Sequence, residues 1–208
     1  MCRDQLVNDF TEIIVEERAL IDVRSPSEFA AGSITGAVNL PLLTDEQRHL
    51  VGIYYKEEGE EAAITLGHRL VTGTKKDQLI KAWCAYLETN PQAVVFCSRG
   101  GLRSKIAAQW VFEASGKPVN RLHGGYKALR AYLLGRLEPS AISSIPIIIG
   151  GRTGSGKTEL LKTFANSVDL ESIANHRGSS FGRFTTPQPG QADFENRLAT
   201  ALVKHESN

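Results

Sequence analysis

A single cysteine, Cys97, ends an apolar run and is followed by two arginines, two glycines and a serine in the stretch FCSRGGLRSK. Gly100 and Gly101 allow the backbone to turn so that its N–H groups converge on one point. Converging amides, the start of a helix and the charges of Arg99 and Arg103 favour the thiolate, the nucleophilic form of cysteine. The stretch predicts a catalytic Cys97 in an anion-binding loop, with a small buried core cysteine as the alternative.

The predicted anion cradle consists of the loop residues after the cysteine. These are Ser98, Arg99, Gly100, Gly101, Leu102, Arg103 and Ser104. Two residues of an earlier DVR stretch, Asp22 and Arg24, are expected to support this loop through an internal ion pair.

A second motif, GRTGSGKT, fits the phosphate-binding pattern G-x-x-x-x-G-K-[ST] between a predicted strand and a predicted helix. Its glycines let backbone amides face phosphate oxygens, Lys157 adds a charge, and the Thr158 hydroxyl is suited to Mg²⁺. A purely structural glycine turn leaves both side chains unexplained. The predicted phosphate-binding residues are Gly151, Gly154, Ser155, Gly156, Lys157 and Thr158.

Composition limits the classes of protein to consider. The 208 residues, 41% of them hydrophobic, suffice for one domain and part of a second. No long apolar run and no signal-peptide core is present, so we expect a cytoplasmic protein with no membrane partner. Cys2, Cys84 and Cys97 show no paired spacing, which argues against a disulfide framework and a metal site. Residues 99–136 carry a net charge of +7, which suits either a solvated helix face or an anionic partner such as RNA.

The elements that position the two motifs alternate between strand and helix. Strands are predicted at ALIDVR, GAVNLP, QAVVFC and PVNRL, with helical patterns between them. This alternation predicts an α/β fold with a parallel sheet covered on both faces. The Pro- and Ser-containing stretch RLEPSAISS indicates a junction, so we predict one domain at 1–138 and another at 139–208. The second begins with IPIIIGG, read as a buried strand.

Three stretches, LIDVRSPSEFAAGSITGAVNLP, VVFCSRGGLRS and NRLHGGYKALR, resemble the successive signatures of a rhodanese domain over residues 17–134. The resemblance implies a loop cysteine that carries sulfur as a persulfide. Five residues separate Cys97 from Arg103, whereas most sulfurtransferases of this fold have four. Because cysteine-dependent phosphatases share the longer spacing, a stand-alone rhodanese or a phosphatase stays open.

Nucleotide hydrolysis needs a second acidic strand and a residue that orients water, and neither is visible before Asn208. We therefore expect a second domain of the P-loop NTPase class, truncated at its C-terminus. A rhodanese module joined to such a loop, with DLESIANHRGSSFG beyond it, resembles the tRNA 2-selenouridine synthases. That resemblance implies a transferase that replaces the sulfur of wobble 2-thiouridine in tRNA with selenium from selenophosphate, after S-geranylation by geranyl diphosphate. No tightly bound cofactor is implied.

The same resemblance suggests a division of labour between the motifs. Cys97 would handle selenium, as a selenosulfide, and Arg99 and Arg103 would stabilise selenophosphate. The glycines of the second motif, with Lys157 and Thr158, would hold the diphosphate of the prenyl donor. A tRNA-binding fragment without catalysis is a third hypothesis.

Several other residues have weaker functional readings. For His123 we consider two roles, that of an acid or base and that of a structural histidine. His176 and Arg177 are predicted to contact RNA or phosphate. Trp83, Trp110 and Cys84 are predicted to lie in the core.

Overall fold

The computed structural model describes residues 4–178 and 182–206. The chain divides into two compact units. Unit 1 consists of residues 1–9, 17–31 and 36–129, and unit 2 consists of residues 10–16, 32–35 and 130–208. The division at residue 138 stays a prediction. Among the described residues, no helix has the length and apolar character needed to cross a membrane.

Unit 1 is built on a parallel sheet of five strands. They are β1 (Gln5–Val7), β2 (Leu20–Asp22), β3 (Ala37–Asn39), β4 (Val94–Phe96) and β5 (Asn120–Leu122). The order across the sheet is β1-β5-β4-β2-β3, and every pairing is parallel. β4 is central and its three residues are buried, as expected for a parallel strand covered on both faces. The predicted α/β fold with a parallel sheet is confirmed.

Helices cover this sheet and begin at local signals in the sequence. Those of unit 1 are α2 (Pro26–Ala30), α3 (Asp45–Glu57), α4 (Glu60–Leu70), α5 (Gly73–Thr89) and α6 (Leu102–Ser115). α2 begins after Ser25, which forms a capping box with Glu28 and precedes Pro26 at the first helical position. Trp83 and Trp110 are buried in the core cluster of this unit, as predicted.

Unit 2 contains mostly short helices. It holds α1 (Phe10–Val15), the second half of α7 (Gly125–Arg136), a 3₁₀ turn (Pro139–Ala141), α8 (Lys157–Leu161), α9 (Leu170–Ile173) and α10 (Gln191–Glu206). The long helix α10 is anchored by Asn196, whose buried amide donates to the Ser33 carbonyl at 2.7 Å and accepts from Arg130 at 2.7 Å. The same arginine also pairs with Glu195.

The strand predicted at IPIIIGG is wrong for the described structure. Residues 145–150 form neither strand nor helix, and Ile145, Ile147 and Ile148 are each about 90% exposed. A strand needs neighbouring strands to pair its backbone and bury its side chains, and the described part of unit 2 offers none. Apolar character alone therefore did not determine the local structure.

Candidate active site

The Cys97 loop connects β4 to α6 at the carboxyl end of the central strand. Ligand sites of open parallel sheets form at this edge, because the loops that follow the strands converge there. Cys97 itself is 3% exposed, and its Sγ donates to the Ser104 Oγ at 3.4 Å. Ser104 is fully buried and donates in turn to the Gly101 carbonyl at 3.1 Å. This cradle residue therefore supports the sulfur from beneath the loop.

The first turn of α7 packs directly on the same loop. The Tyr126 N–H donates to the Cys97 carbonyl at 2.9 Å, and the Lys127 N–H donates to the Ser98 carbonyl at 3.0 Å. Gly125 makes this approach possible, because a Cβ there would lie 2.2 Å from the Cys97 carbonyl oxygen. Its positive φ of 60° also favours glycine. The backbone of the loop is thus fixed by two elements, α6 and α7.

Arg103, predicted as an anion ligand, is bound by Glu28. Its Nη1 and Nη2 donate to the two carboxylate oxygens at 2.5 and 3.1 Å. Burial raises the pKa of Glu28, but the hydrogen bonds and charge of Arg103, with smaller contributions from Ser25 and Arg48, outweigh this and lower the pKa to about 2. Burial lowers the pKa of Arg103, and the bonds to Glu28 more than reverse this, so that the net shift is upward. Both groups are therefore charged at neutral pH.

The ion pair predicted between Asp22 and Arg24 is present. The Arg24 Nη2 lies 2.6 Å from Oδ2 of the fully buried Asp22, and Nε contacts both carboxylate oxygens. The guanidinium of Arg24 also lies over the ring of Tyr126, 3.8 Å from its centroid. Since the Tyr126 N–H binds the Cys97 carbonyl, the pair reaches the loop through α7. Its supporting role in catalysis stays a prediction.

Sequence reasoning missed two charged residues at this site, Glu28 and Arg121. Arg121 lies in β5 beneath the loop and donates to the Gly100 carbonyl at 3.1 Å. Glu28 occupies the third helical position of a capping box, which is a sequence signal for its backbone bond but not for Arg103. A charged residue inside the apolar stretch PVNRL was the corresponding signal for Arg121.

A cavity of about 520 Å³ opens beside the loop within unit 1. Apolar side chains of α3, α4 and α6 line much of it, including Val51, Ile64, Ile106 and Trp110. Several basic side chains also line it, namely Arg48, His49, Lys56, His68, Arg99 and Arg103. An apolar interior with cationic groups suits a ligand that combines an apolar chain with an anionic group.

The second predicted site lies in unit 2 and, unlike Cys97, is mostly exposed. Gly154 and Gly156 have positive φ values of 81° and 82°, as expected for a glycine-rich turn. The Lys157 Nζ donates to the carbonyls of its own loop, Gly151 at 3.0 Å and Arg152 at 3.1 Å. Ser155 is exposed like most of the loop, and α8 behind it has five residues.

Thr158 would be the protein ligand of a bound Mg²⁺ at this loop. It supplies one hydroxyl, and no group of three His, Cys, Asp or Glu suited to a metal ion occurs within residues 4–178 and 182–206. Mg²⁺ at a phosphate-binding loop needs few protein ligands, because water and substrate phosphates supply the others, so Mg²⁺ at Thr158 stays a prediction and no step is assigned to the ion.

The remaining candidates lie apart from the loop contacts described above. His123 is exposed after β5, and Cys84 is half-buried, where burial raises the pKa of its thiol. In unit 2, His176 forms an isolated antiparallel β-bridge with Arg183. The guanidinium of Arg177 lies 4.7 Å from the ring centroid of Phe184. Cys2 and residues 179–181 of the NHRGSSFG stretch fall outside the described residues.

Two protein families match this chain, one over each of the two predicted motifs. The rhodanese-like domain matches residues 6–132, more than half of the chain. The chain belongs to the rhodanese-like family. Within this rhodanese-like chain, residues 144–208 match a second family, described as the tRNA 2-selenouridine synthase AAA domain.

Curated relatives of this rhodanese-like chain agree on one name. Proteins called tRNA 2-selenouridine synthase from Sulfurovum sp. (strain NBC37-1) and Pseudomonas fluorescens (strain Pf0-1) are 53% and 50% identical to it. Each match covers 95% of this chain and 54% of the relative. The chain thus spans about half the length of the curated relatives it matches. The predicted resemblance to tRNA 2-selenouridine synthases is confirmed.

A solved structure supports the fold. The N-terminal domain of a protein described as ATP/GTP binding, from Clostridium difficile 630, is 30% identical with a TM-score of 0.55. The similarity covers 62% of this chain and 99% of that domain.

Proposed function

We propose that this chain provides the reactive thiol and the phosphate-binding loop of a tRNA 2-selenouridine synthase acting in the cytoplasm. In the proposed reaction, selenium from selenophosphate replaces the sulfur of wobble 2-thiouridine in tRNA. One observation carries the proposal: a buried cysteine lies in a rhodanese loop at the carboxyl end of β4, in a chain about 50% identical to proteins of that name.

The proposed exchange has two group-transfer steps. First, the thiocarbonyl sulfur attacks C1 of geranyl diphosphate, the C–O bond breaks, diphosphate leaves and the base loses its N3 proton. This converts a poor leaving group into a thiol. Selenium then replaces sulfur at C2, the C–S bond breaks, and geranyl thiol leaves with a proton. Water cleaves the P–Se bond and releases phosphate, so selenium stays at the oxidation level of selenide.

Cys97 is the proposed nucleophile of the second step. Its thiolate displaces geranyl thiol from C2 and is then displaced by selenium, which returns the thiol unchanged. A selenosulfide on Cys97 would require an oxidant in addition to selenophosphate, so we favour the redox-neutral route. Arg99, exposed on the loop, is the proposed ligand for the selenophosphate anion, with Arg103 beside it.

The cavity beside the loop supports a prenylated substrate. Its volume of about 520 Å³ falls in the range of small-ligand pockets. Ile106 and Trp110 extend its apolar lining along α6, the helix that begins just after the loop. We propose that this cavity receives the geranyl chain of the S-geranylated base while C2 is exposed to Cys97.

The phosphate-binding loop of unit 2 is the proposed site for the diphosphate of geranyl diphosphate. Turns with positive φ at Gly154 and Gly156 direct backbone amides towards an anion. The Lys157 ammonium now binds two loop carbonyls and would exchange them for diphosphate oxygens.

A second function, that of a stand-alone rhodanese or cysteine-dependent phosphatase, is favoured by one feature. The five residues between Cys97 and Arg103 make a wider cradle than a persulfide requires. This alternative predicts turnover of thiosulfate or a phosphoester without tRNA.

Mass spectrometry of nucleosides tests the proposal. The chain is incubated with 2-thiouridine tRNA, geranyl diphosphate and selenophosphate, alongside a full-length relative as positive control. Cys97→Ser should abolish 2-selenouridine and allow S-geranyl-2-thiouridine to accumulate, whereas the matched control Cys84→Ser should behave as wild type. Lys157→Ala should impair geranylation while selenium transfer to pre-geranylated tRNA continues. Equal loss of both steps would contradict the division of labour, and thiosulfate turnover without tRNA would favour the alternative.

A further inference from the structure

Arg121 is a buried charge that the proposed chemistry does not use. It lies in β5, next to the central strand, and its side chain is 8% exposed. Arginine is rarely buried unless its donors are paired, because removing its charge from water costs free energy. Asp4 accepts from the Arg121 Nε and balances the charge. Two further hydrogen bonds of the Arg121 side chain reach the Cys97 loop and the first turn of α6.

Those contacts hold the loop from beneath. The Arg121 Nη1 donates to the Gly100 carbonyl at 3.1 Å and to the Ser104 Oγ at 3.4 Å. The Ser104 Oγ is also the acceptor of the Cys97 Sγ. A chain of hydrogen bonds therefore connects a buried cation to the sulfur through one hydroxyl.

The hydroxyl has one proton and two lone pairs, and this limits what it can do. With Cys97 protonated, Ser104 accepts from the sulfur and from Arg121 and donates to the Gly101 carbonyl. A thiolate has no proton to donate, so the Ser104 proton becomes its natural partner. The bond from Arg121 keeps the oxygen in place and makes the hydroxyl a stronger donor, because hydrogen bonds in a chain polarise one another.

We propose that Arg121 is a positioning residue for Cys97. Arg121 holds the loop in place through Gly100 and stabilises the Cys97 thiolate through Ser104. The proposal rests on the role of Cys97 as the reactive thiol, but not on any selenium or tRNA chemistry. It extends the site by a residue on β5, which lies 24 positions after Cys97 in the sequence.

The pH profile of Cys97 alkylation by iodoacetamide tests this, with each cysteine peptide read separately by mass spectrometry. Arg121→Gln should move the midpoint up by about one pH unit, which makes alkylation below the midpoint about tenfold slower. Arg121→Lys keeps the charge and should restore part of the rate. The other charged groups near the loop are unchanged in every variant; they are Asp4, which pairs with Arg121, and Asp22, Arg24, Glu28, Arg99, Arg103 and Lys127.

A double-mutant cycle with Ser104→Ala tests the route. If Arg121 stabilises the thiolate mainly through Ser104, adding Arg121→Gln to Ser104→Ala should move the midpoint much less than Arg121→Gln moves it in the wild-type chain; the smaller remaining shift then measures the contact with Gly100. Arg18→Gln is the matched control, because Arg18 binds the Gln92 carbonyl and should leave the profile unchanged. An unchanged midpoint in folded Arg121→Gln, or a fully additive shift, overturns the proposal. If Arg121→Gln does not fold, the comparison of Arg121→Lys in the wild-type and Ser104→Ala backgrounds decides in the same way. Failure of selenium transfer with the expected profile would instead count against the proposed function.

Discussion

The Cys97 loop and the loop at residues 151–158 are both glycine-rich turns that precede a helix, but different contacts support them. The Cys97 loop is held by α6, by the first turn of α7 and by Arg121 from β5. In the loop at residues 151–158, Lys157 binds carbonyls of its own segment, and the apolar residues before it are exposed. A glycine-rich sequence thus forms a turn in both loops. Only the Cys97 loop is partly buried, because it follows β4, which is paired with a strand on each side.

The largest expected contrast concerns the ion pairs of the two regions. Asp22→Asn leaves the Arg24 guanidinium buried without its carboxylate, so we expect the free energy of unfolding to fall by about 3–5 kcal/mol. Glu159→Gln breaks the exposed pair between Glu159 and Lys162 on α8 and should have no measurable effect. Urea unfolding of both variants measures the difference. Equal destabilisation would mean that burial does not distinguish the two regions.

A methyl group added to a glycine of each loop should give the next largest contrast. In Gly125→Ala the new Cβ would overlap the Cys97 carbonyl oxygen, so we expect a loss of about 2–4 kcal/mol and much slower Cys97 alkylation. Gly154→Ala meets no atom within 4 Å and has only the strain of its positive φ. Thermal unfolding and alkylation rates check both variants. Normal alkylation in Gly125→Ala would refute the close packing of α7 on the loop.

The apolar segments that precede the two loops offer a third contrast. Val95 in β4 is 3% exposed and Ile147 is 88% exposed. Val95→Ala should lower the free energy of unfolding by about 2 kcal/mol, because it removes buried apolar surface. Ile147→Ala should change it very little. A comparable loss in Ile147→Ala would show that residues 145–150 are buried in solution.

The smallest effect depends on pH. The pKa of Glu28, about 2 in the folded chain against an ordinary 4.5, means that the carboxylate stabilises the fold above pH 4.5. This contribution is lost as the pH falls from 4.5 towards 2. Glu28→Gln should therefore cost about 1–2 kcal/mol at pH 7 and nearly nothing near pH 2. Unfolding at both pH values, with the exposed Glu113→Gln as control, measures this, and a difference independent of pH would contradict it.

The sequence allowed most of unit 1 to be predicted, because its signals are local. Apolar runs marked β2 to β5, and the cysteine motif located the loop without any knowledge of the fold. β1 was missed because its three residues, QLV, are flanked by Asp4 on one side and by Asn8 and Asp9 on the other, so no apolar run marks it. The bond between Glu28 and Arg103 joins residues 75 positions apart, and no local pattern encodes it.

The strand predicted before the second loop failed for the opposite reason. Its isoleucines carry a strong local signal, but a strand forms only where neighbours pair with it. Residues 145–150 have no such neighbour in the described part of unit 2. Prediction of an isolated strand therefore requires knowledge of its partners, which are distant in sequence.

The pairing of β1 with β5 also bears on how the molecule folds. Gln5 lies opposite Asn120, so this ladder closes a loop of most of unit 1. Closing so long a loop costs chain entropy before any contact compensates for it, and such pairings slow folding. The ion pair between Asp4 and Arg121 lies beside this ladder. We therefore expect the chain to acquire its sheet centre first and the pairing of Asp4 with Arg121 late, so that newly made molecules pass through a stage in which the cation beneath the thiol lacks its balancing carboxylate.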